Sequence, residues 1–193
     1  MRGMTALLAG IILLSGCGNS TGTGTDAASA ADRGSLSASR ASAQDHRDAQ
    51  ENKDLAALRA ATEKFHKIEV AAQAGWNEQV PPGCFTSPDG SMGFHFRNLS
   101  KVGTLNPTEP QFVMYEPQKD GSMRLVGVEF IALGEPTDTP PVLFGQPFQY
   151  NFTFNVWALH VWAWRENPSG LYSNWNPKVS CQYATNVVNM AHH

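Results

Sequence analysis

The chain has 193 residues, of which 41% are hydrophobic, 16% are charged and 10% are aromatic, and its formal net charge is −3. The charged fraction is too low and the aromatic fraction too high for a chain that is disordered throughout. The small negative charge excludes a protein that binds nucleic acid by tracking its phosphates. The length is that of one domain with some additional chain.

The N-terminal segment predicts a signal peptide over residues 1–16. Arg2 supplies a positive charge, and Met4 to Leu14 form an apolar run that is too short to span a bilayer of roughly 30 Å as a helix. The run ends in Leu14-Ser15-Gly16-Cys17, which matches the bacterial lipobox. We therefore expect a lipoprotein on the extracytoplasmic face of a bacterial cell envelope, anchored to the lipid membrane by acyl chains such as palmitate on Cys17. The alternative is an ordinary secretory signal with an incidental cysteine.

The three cysteines agree with export. If Cys17 carries lipid, Cys84 and Cys181 remain, and an even number in an oxidising compartment favours a disulfide between them. The alternative is two buried free thiols. A zinc site built on these cysteines is not expected, because neither has a second cysteine nearby in the sequence.

Composition divides the remaining chain into a predicted tether over residues 17–45 and a single globular domain over residues 46–193. Twenty of the 28 residues from 18 to 45 are Gly, Ala, Ser or Thr, which predicts a flexible segment. Residues 46–75 are predicted to form one amphipathic helix, with Gly75 after its C-terminus. Its apolar stripe suits docking on a sheet, and a coiled-coil partner is the weaker alternative. The stripe consists of Leu55, Leu58, Ala61, Phe65, Ile68 and Ala72.

Residues 76–193 contain all 12 prolines and 18 of the 19 aromatic residues, which predicts a β-rich region with many turns. We predict strands near 93–97, 112–116, 123–133, 148–154 and 156–164. The second and third of these should form a hairpin. The fold class is therefore α+β: one N-terminal amphipathic helix packed on a curved, mostly antiparallel β-sheet or a small cupin-like barrel.

Three ionisable residues, His95, Glu129 and His160, lie between bulky apolar neighbours near the middle of separate predicted strands. Strand alternation places those neighbours on the opposite face. If that face packs on the helix, the three residues share the interior of the curved sheet. Two imidazoles and one carboxylate with open coordination positions suit a divalent metal ion such as Fe(II), Mn or Zn. Taken singly, each histidine has the alternative of a hydrogen-bonded core residue, and Glu129 that of a partner of Arg97, Arg124 or Arg165.

A second cluster of interest is aromatic. Trp162 and Trp164 have the same parity as His160, which makes them a weak candidate platform for an apolar or sugar ligand. Core packing is the alternative. Phosphate-binding loops, nucleophile elbows and zinc-protease helices have no match in the sequence, so whether the protein is an enzyme stays open.

Several segments resemble those of a family of uncharacterised bacterial exported proteins and lipoproteins. They lie between about residues 60 and 181 and include Met92-Gly93-Phe94-His95-Phe96, Arg124-Leu125-Val126-Gly127-Val128-Glu129-Phe130 and Leu159-His160-Val161-Trp162-Ala163-Trp164. The family has Tyr where this chain has Phe96 and Phe130. The resemblance implies export and a shared domain, but it carries no activity to transfer.

Three functions follow as hypotheses. The first is a membrane-anchored lipoprotein with a divalent metal ion at His95, Glu129 and His160, used for binding or for chemistry. The second is a non-catalytic envelope module that binds a small apolar or sugar molecule, and the third is a purely structural lipoprotein.

Overall fold

A computed structural model describes residues 26–190, with the side chains of Ser35 and of residues 37–190. The predicted signal peptide, Cys17 and the first part of the tether lie outside the described residues. The chain divides into two compact units, Met1–Ala43 and Gln44–His193. The described part of the first unit is helical, and the sheet and the candidate metal centre belong to the second.

The helical and β elements alternate little along the chain, as expected for an α+β fold. Two α-helices, α1 (Asp26–Thr62) and α2 (Ile68–Gln73), flank a 3₁₀ turn at Glu63–His66, and a second 3₁₀ turn lies at Leu99–Lys101. The strands are β1 (Glu78–Gln79), β2 (Cys84–Ser87), β3 (Gly90–Arg97), β4 (Phe112–Pro117), β5 (Met123–Ala132), β6 (Val142–Leu143), β7 (Gln146–Pro147), β8 (Gln149–Asn151), β9 (Val156–Val161) and β10 (Val187–Asn189).

The helical region differs from its prediction at both ends. It begins at Asp26, inside the segment predicted to be flexible, because that segment is rich in alanine, the residue with the highest helix propensity. The predicted single helix over 46–75 is interrupted after Thr62, whose hydroxyl donates a 2.8 Å hydrogen bond to the carbonyl of Leu58. Bonds of this kind bend helices.

The C-terminal end of the helical region confirms the predicted glycine cap. Gly75 has a φ of 104°, and the amides of Gly75 and Trp76 donate to the carbonyls of Ala72 and Ala71 at 3.1 and 2.9 Å. This pair of bonds is the Schellman motif. It turns the chain so that the Trp76 ring lies 4.7 Å from the ring of Phe65, inside the core.

The main sheet is curled into a half-barrel and is mostly antiparallel, as predicted. Its order is β10-β2-β3-β4-β5-β9-β8, with β1 paired to β3 and only the β10–β2 pair parallel. The two end strands, β10 and β8, do not pair with each other in this order, so the sheet is not a closed, cupin-like barrel. The predicted β4–β5 hairpin is present, and β6 and β7 form a separate ribbon.

The two faces of the curled sheet have different partners. One face carries Tyr115, Val128, Phe130 and Leu159, which join Leu55, Leu58 and Phe65 of the helical region in one buried core. The Tyr115 hydroxyl also donates a 2.7 Å hydrogen bond to the carbonyl of Phe65. Because successive side chains alternate between faces, this core commits the neighbouring residues of each strand to the opposite, concave face.

Two predicted strands are shorter than expected. β8 ends at Asn151, and the side chain of that residue accepts hydrogen bonds from the amides of Thr153 and Phe154, which forms a turn. Phe152 and Phe154 therefore lie outside the strand, although both fall within the predicted range 148–154, and their exposed fractions are 75% and 43%. β9 ends at Val161, because the next amide, that of Trp162, bonds to the carbonyl of Leu171 in a loop.

The predicted disulfide is present. Cys84 in β2 is bonded to Cys181 near the C-terminus, and the two residues are 97 positions apart in the chain. The two cysteines form a small buried cluster with Phe94. Cross-linking so long a loop restricts the unfolded chain and thereby stabilises the folded one.

Reduction of this disulfide should lower the free energy of unfolding by about 4–5 kcal/mol, the chain-entropy value for a loop of this length. Chemical denaturation with and without reductant measures the change. The variant with both Cys84→Ala and Cys181→Ala serves as the control, because its unfolding should not respond to reductant. Equal denaturation midpoints for oxidised and reduced wild-type protein would contradict the prediction.

Candidate metal centre

The sheet places His95, Glu129 and His160 on its concave face. Glu129 in β5 is the direct antiparallel partner of His160 in β9. His95 lies two strands away in β3, on the far side of β4. The curl of the sheet brings His95 over Phe112 of β4, with the two ring centres 6.0 Å apart, so that its imidazole reaches the carboxyl group of Glu129.

The three side chains converge as the sequence predicts. Nε2 of His95 lies 3.7 Å from Oε2 of Glu129, and Nε2 of His160 lies 3.6 Å from Oε1 of the same residue. One ligand atom from each residue can be chosen so that all three lie within 4.8 Å of one another. The group can therefore hold a metal ion.

A kink in β5 sets the position of Glu129. The pairing of β4 with β5 shifts register between Met114 and Tyr115, whose partners are Gly127 and Leu125. This bulge leaves Leu125 and Val128 on the core side while Glu129 points into the concave face. Gly127 is required here, since a Cβ atom would lie 2.7 Å from both the carbonyl of Val161 and the methyl group of Met114.

The polar atoms of the site lack the partners that buried groups usually have. Among the described residues, neither nitrogen of His160 nor Nδ1 of His95 has a hydrogen-bond partner. The arginines proposed as partners of Glu129 are engaged elsewhere: Arg97 with Glu78, Arg124 with Glu116, and Arg165 with the carbonyl of Lys178. Pairing with an arginine therefore does not account for Glu129.

Burial removes charge from the metal-free site. It raises the pKa of Glu129 from 4.5 to about 8. Burial lowers the pKa of His95 to about 3, with a further contribution from His160, and lowers that of His160 to about 4. The backbone of Gly93 opposes the shift in the pKa of His95, and the side chain of Asn174 opposes that of His160. At neutral pH the two imidazoles and the carboxyl group are therefore all uncharged, and their contacts are not ion pairs.

The donor set suits a small divalent ion, and its spacing is wider than that of a bound site. Metal–ligand bonds of 2.0–2.2 Å place the donors of a tetrahedral site about 3.4 Å apart. The two His–Glu contacts measure 3.6 and 3.7 Å and use different oxygens of Glu129, and one donor atom from each residue can be chosen so that all three lie within 4.8 Å of one another. Two neutral imidazoles and a carboxylate are ligands that Zn²⁺ and Fe(II) accept, and three protein ligands leave at least one position open.

A cavity of about 660 Å³ lies directly against the site. His95, Glu129 and His160 form part of its wall, and much of the remainder comes from loops and turns, including Phe154, Asn174 and Trp175. Sequence reasoning missed Phe154 and Asn174 as lining residues, because no strand pattern or motif connects positions so far along the chain. An open coordination position on this side would therefore face a space large enough for a small molecule.

The two tryptophans proposed as a platform are placed in different surroundings. Trp162 is buried against Met114, Val126 and Val179, and its indole donates to the carbonyl of Ser173. The indole of Trp164 donates to Thr62 of the helical region. Neither residue lines the cavity. The regular alternation assumed through residue 164 ends with β9 at Val161, and the contacts of Trp162 match the alternative of core packing.

Comparisons with protein-family models, curated proteins and solved structures find no match to this chain. The resemblance to a family of exported proteins therefore stays a prediction. Within residues 26–190, no helix is both long and apolar enough to cross a membrane.

The raised pKa of Glu129 predicts a pH-dependent stability for the metal-free protein. The carboxyl group of the unfolded chain ionises near pH 4.5, but that of the folded protein stays protonated to about pH 8. The contribution of the protonated Glu129 carboxyl group to the stability of the folded protein is fully present below about pH 4.5 and is lost as the pH rises through about 8. Glu129→Gln keeps the shape of the protonated side chain and cannot ionise.

We therefore expect the Glu129→Gln variant to gain stability relative to wild type as the pH is raised from about 5 to about 8. Chelator-treated samples of both proteins, unfolded with urea at each pH, measure the difference. The histidines are present in both proteins, so their titration largely cancels. A difference that stays constant across this range would mean that Glu129 does not titrate there.

Proposed function

We propose that this protein is an exported, membrane-anchored lipoprotein whose domain binds a divalent metal ion through His95, Glu129 and His160. One observation carries the proposal: three ligand atoms from three separate strands lie within 4.8 Å of one another in a buried site. The cavity beside them supports a role in binding a further molecule at the ion.

The electrostatics of the site support a cation in particular. A buried carboxyl group with two unprotonated imidazoles beside it leaves polar atoms without partners, which is costly in a low-dielectric interior. A divalent ion accepts electron pairs from all three groups at once and restores the ionised form of Glu129. A hydrogen-bonded cluster without metal would need contacts shorter than the 3.6 and 3.7 Å in this site.

Full-length protein produced without an affinity tag should bind one Zn²⁺ per chain, measured by elemental analysis after dialysis. Removing one of three ligands should weaken binding at least about 100-fold, since even outer-sphere changes weaken metal sites 10- to 100-fold. His160→Ala and His95→Ala should therefore lose the metal. His46→Ala is the matched control, because His46 is an exposed histidine on α1 and should keep full stoichiometry.

Circular dichroism shows whether each variant is folded, which separates loss of a ligand from loss of structure. Wild-type protein that binds no Zn²⁺, Fe(II) or Mn²⁺ would contradict the proposal and favour a binding module without metal or a structural lipoprotein. Metal content unchanged in folded His160→Ala would contradict the ligand assignment.

The anchoring part of the proposal is supported by the sequence Leu14-Ser15-Gly16-Cys17 after an apolar run. It is also supported by the Cys84–Cys181 disulfide, because disulfides persist in oxidising compartments outside the cytosol. Two or three acyl chains on one cysteine hold a protein firmly on a membrane, since each buried methylene contributes about 0.8 kcal/mol.

Cys17→Ser should abolish incorporation of labelled palmitate in a bacterial host and move the protein from the membrane fraction to the soluble fraction. The variant with Cys84→Ala and Cys181→Ala is the control, since it removes two cysteines but keeps the anchor, and it should remain labelled. Continued labelling of the Cys17→Ser variant would rule out Cys17 as the anchor.

A further inference from the structure

The cavity beside the candidate metal centre has an aromatic wall that continues from the site to its rim. The ring of Phe85 meets the imidazole of His95 edge-on, with centres 5.5 Å apart, and meets the ring of Phe154 in the same way at 6.1 Å. Phe154 stands on the turn between β8 and β9 and is 43% exposed. A flat apolar group entering the cavity would therefore pass along aromatic rings until it reached the candidate metal centre.

A second aromatic pair lies at the end of β8, with Tyr150 on the strand and Phe152 on the turn that follows it. Tyr150 and Phe152 have ring centres 5.0 Å apart, and both line the cavity. Phe152 is the most exposed large hydrophobic residue among those described, at 75%. Exposed aromatic residues around a concave site are a feature of ligand-binding surfaces.

The charges around the cavity indicate what charge a ligand at the open coordination position of the proposed metal ion should carry. Apart from the three candidate ligands, Arg97 is the charged side chain among the described lining residues. Its charge is balanced by Glu78, which accepts hydrogen bonds from the Arg97 guanidinium at 2.8 and 3.2 Å. A divalent ion held by one carboxylate and two neutral imidazoles carries a net charge of about +1, and an excess charge in a buried site is unfavourable unless it is paired.

Polar contacts beside the site are supplied by two amides. Asn174 lies next to His160, and its amide nitrogen donates a 3.0 Å hydrogen bond to the side-chain oxygen of Gln149. Both residues line the cavity. The pair brings amide donors and acceptors, rather than further charges, to the place where a metal-bound ligand would lie.

We infer that the cavity binds a monoanionic oxygen-donor ligand with an aromatic body, whose oxygen atoms bind the metal ion while its ring packs against Phe85 and Phe154. The negative charge of such a ligand balances the remaining positive charge of the site. Its ring covers the apolar wall between the ion and the rim. This inference rests on the proposed metal site and names the class of molecule that the site takes.

Zn²⁺-loaded full-length protein, titrated by calorimetry with benzohydroxamate and with acetohydroxamate, tests the inference. Both probes present the same monoanionic oxygen donors, and they differ in whether an aromatic ring is attached. We expect benzohydroxamate to bind at least about tenfold more tightly, because its ring buries apolar surface on the cavity wall.

Phe154→Ala should reduce that preference to less than about threefold, since it removes the rim end of the aromatic wall. Leu133→Ala is the matched control: Leu133 is 71% exposed and does not line the cavity, so the preference should be unchanged. The Zn²⁺ content of each variant, measured in the same samples, confirms that the site itself is intact.

The outcomes separate the two proposals. Wild-type protein that takes up no Zn²⁺ contradicts the metal site itself. Three other outcomes contradict only the inference about the ligand, provided that the protein holds its full Zn²⁺ content. These are equal affinity for the two hydroxamates, no binding of either, and a preference that Phe154→Ala leaves unchanged.

Discussion

The packing of the helical region on one face of the sheet is the constraint from which the rest of this structure follows. Leu58 and Phe65 share a core with Tyr115, Phe130 and Leu159, and all five are almost completely buried. Because strand side chains alternate, this choice of face fixes the direction of every neighbouring side chain. A shift of one residue in register would place the polar residues in the core and the apolar residues in the cavity. The core therefore specifies both the fold and the position of the candidate metal site.

The curl of the sheet then brings together side chains that would otherwise only share a face. On a flat sheet, neighbouring strands lie roughly 4.8 Å apart, so His95, two strands from Glu129, would be almost out of reach. In the half-barrel its Nε2 lies 3.7 Å from the carboxyl group. The bulge at Gly127 contributes, because bulges bend strands and increase twist. Phe85, on the strand fixed by the Cys84–Cys181 bond, packs against the edge of the same imidazole, so the disulfide supports the wall of the site.

The sequence patterns correctly predicted those features that depend on interactions between residues close together in the chain. The apolar stripe of the helical region, the glycine cap at Gly75, the β4–β5 hairpin and the face shared by the three polar residues all follow from periodicity and turn chemistry. The failures lie where tertiary contacts or side-chain bonds override the pattern. Asn151 ends β8 by capping the next turn, and the loop carbonyl of Leu171 takes the amide of Trp162 out of the sheet. The cavity could not be predicted, since residues such as Phe85 and Asn174 meet there only through the fold.

The unsatisfied atoms of the site support the proposed ligand-binding role more than a structural one. A histidine or glutamate retained only for the fold is normally fixed by hydrogen bonds, because leaving a buried polar atom unpaired costs about 1–3 kcal/mol. Among the described residues, three imidazole nitrogens of this site have no partner, although backbone and side-chain groups such as Asn174 lie close by. Apolar residues at positions 95, 129 and 160 would fill the same space without that penalty. An electron-pair acceptor at the common point of the three side chains takes the lone pairs that face it, those of Nε2 of both imidazoles and of the Glu129 carboxylate. It thereby removes the penalty at Nε2 of His160, while the two Nδ1 atoms stay without a partner among the described residues.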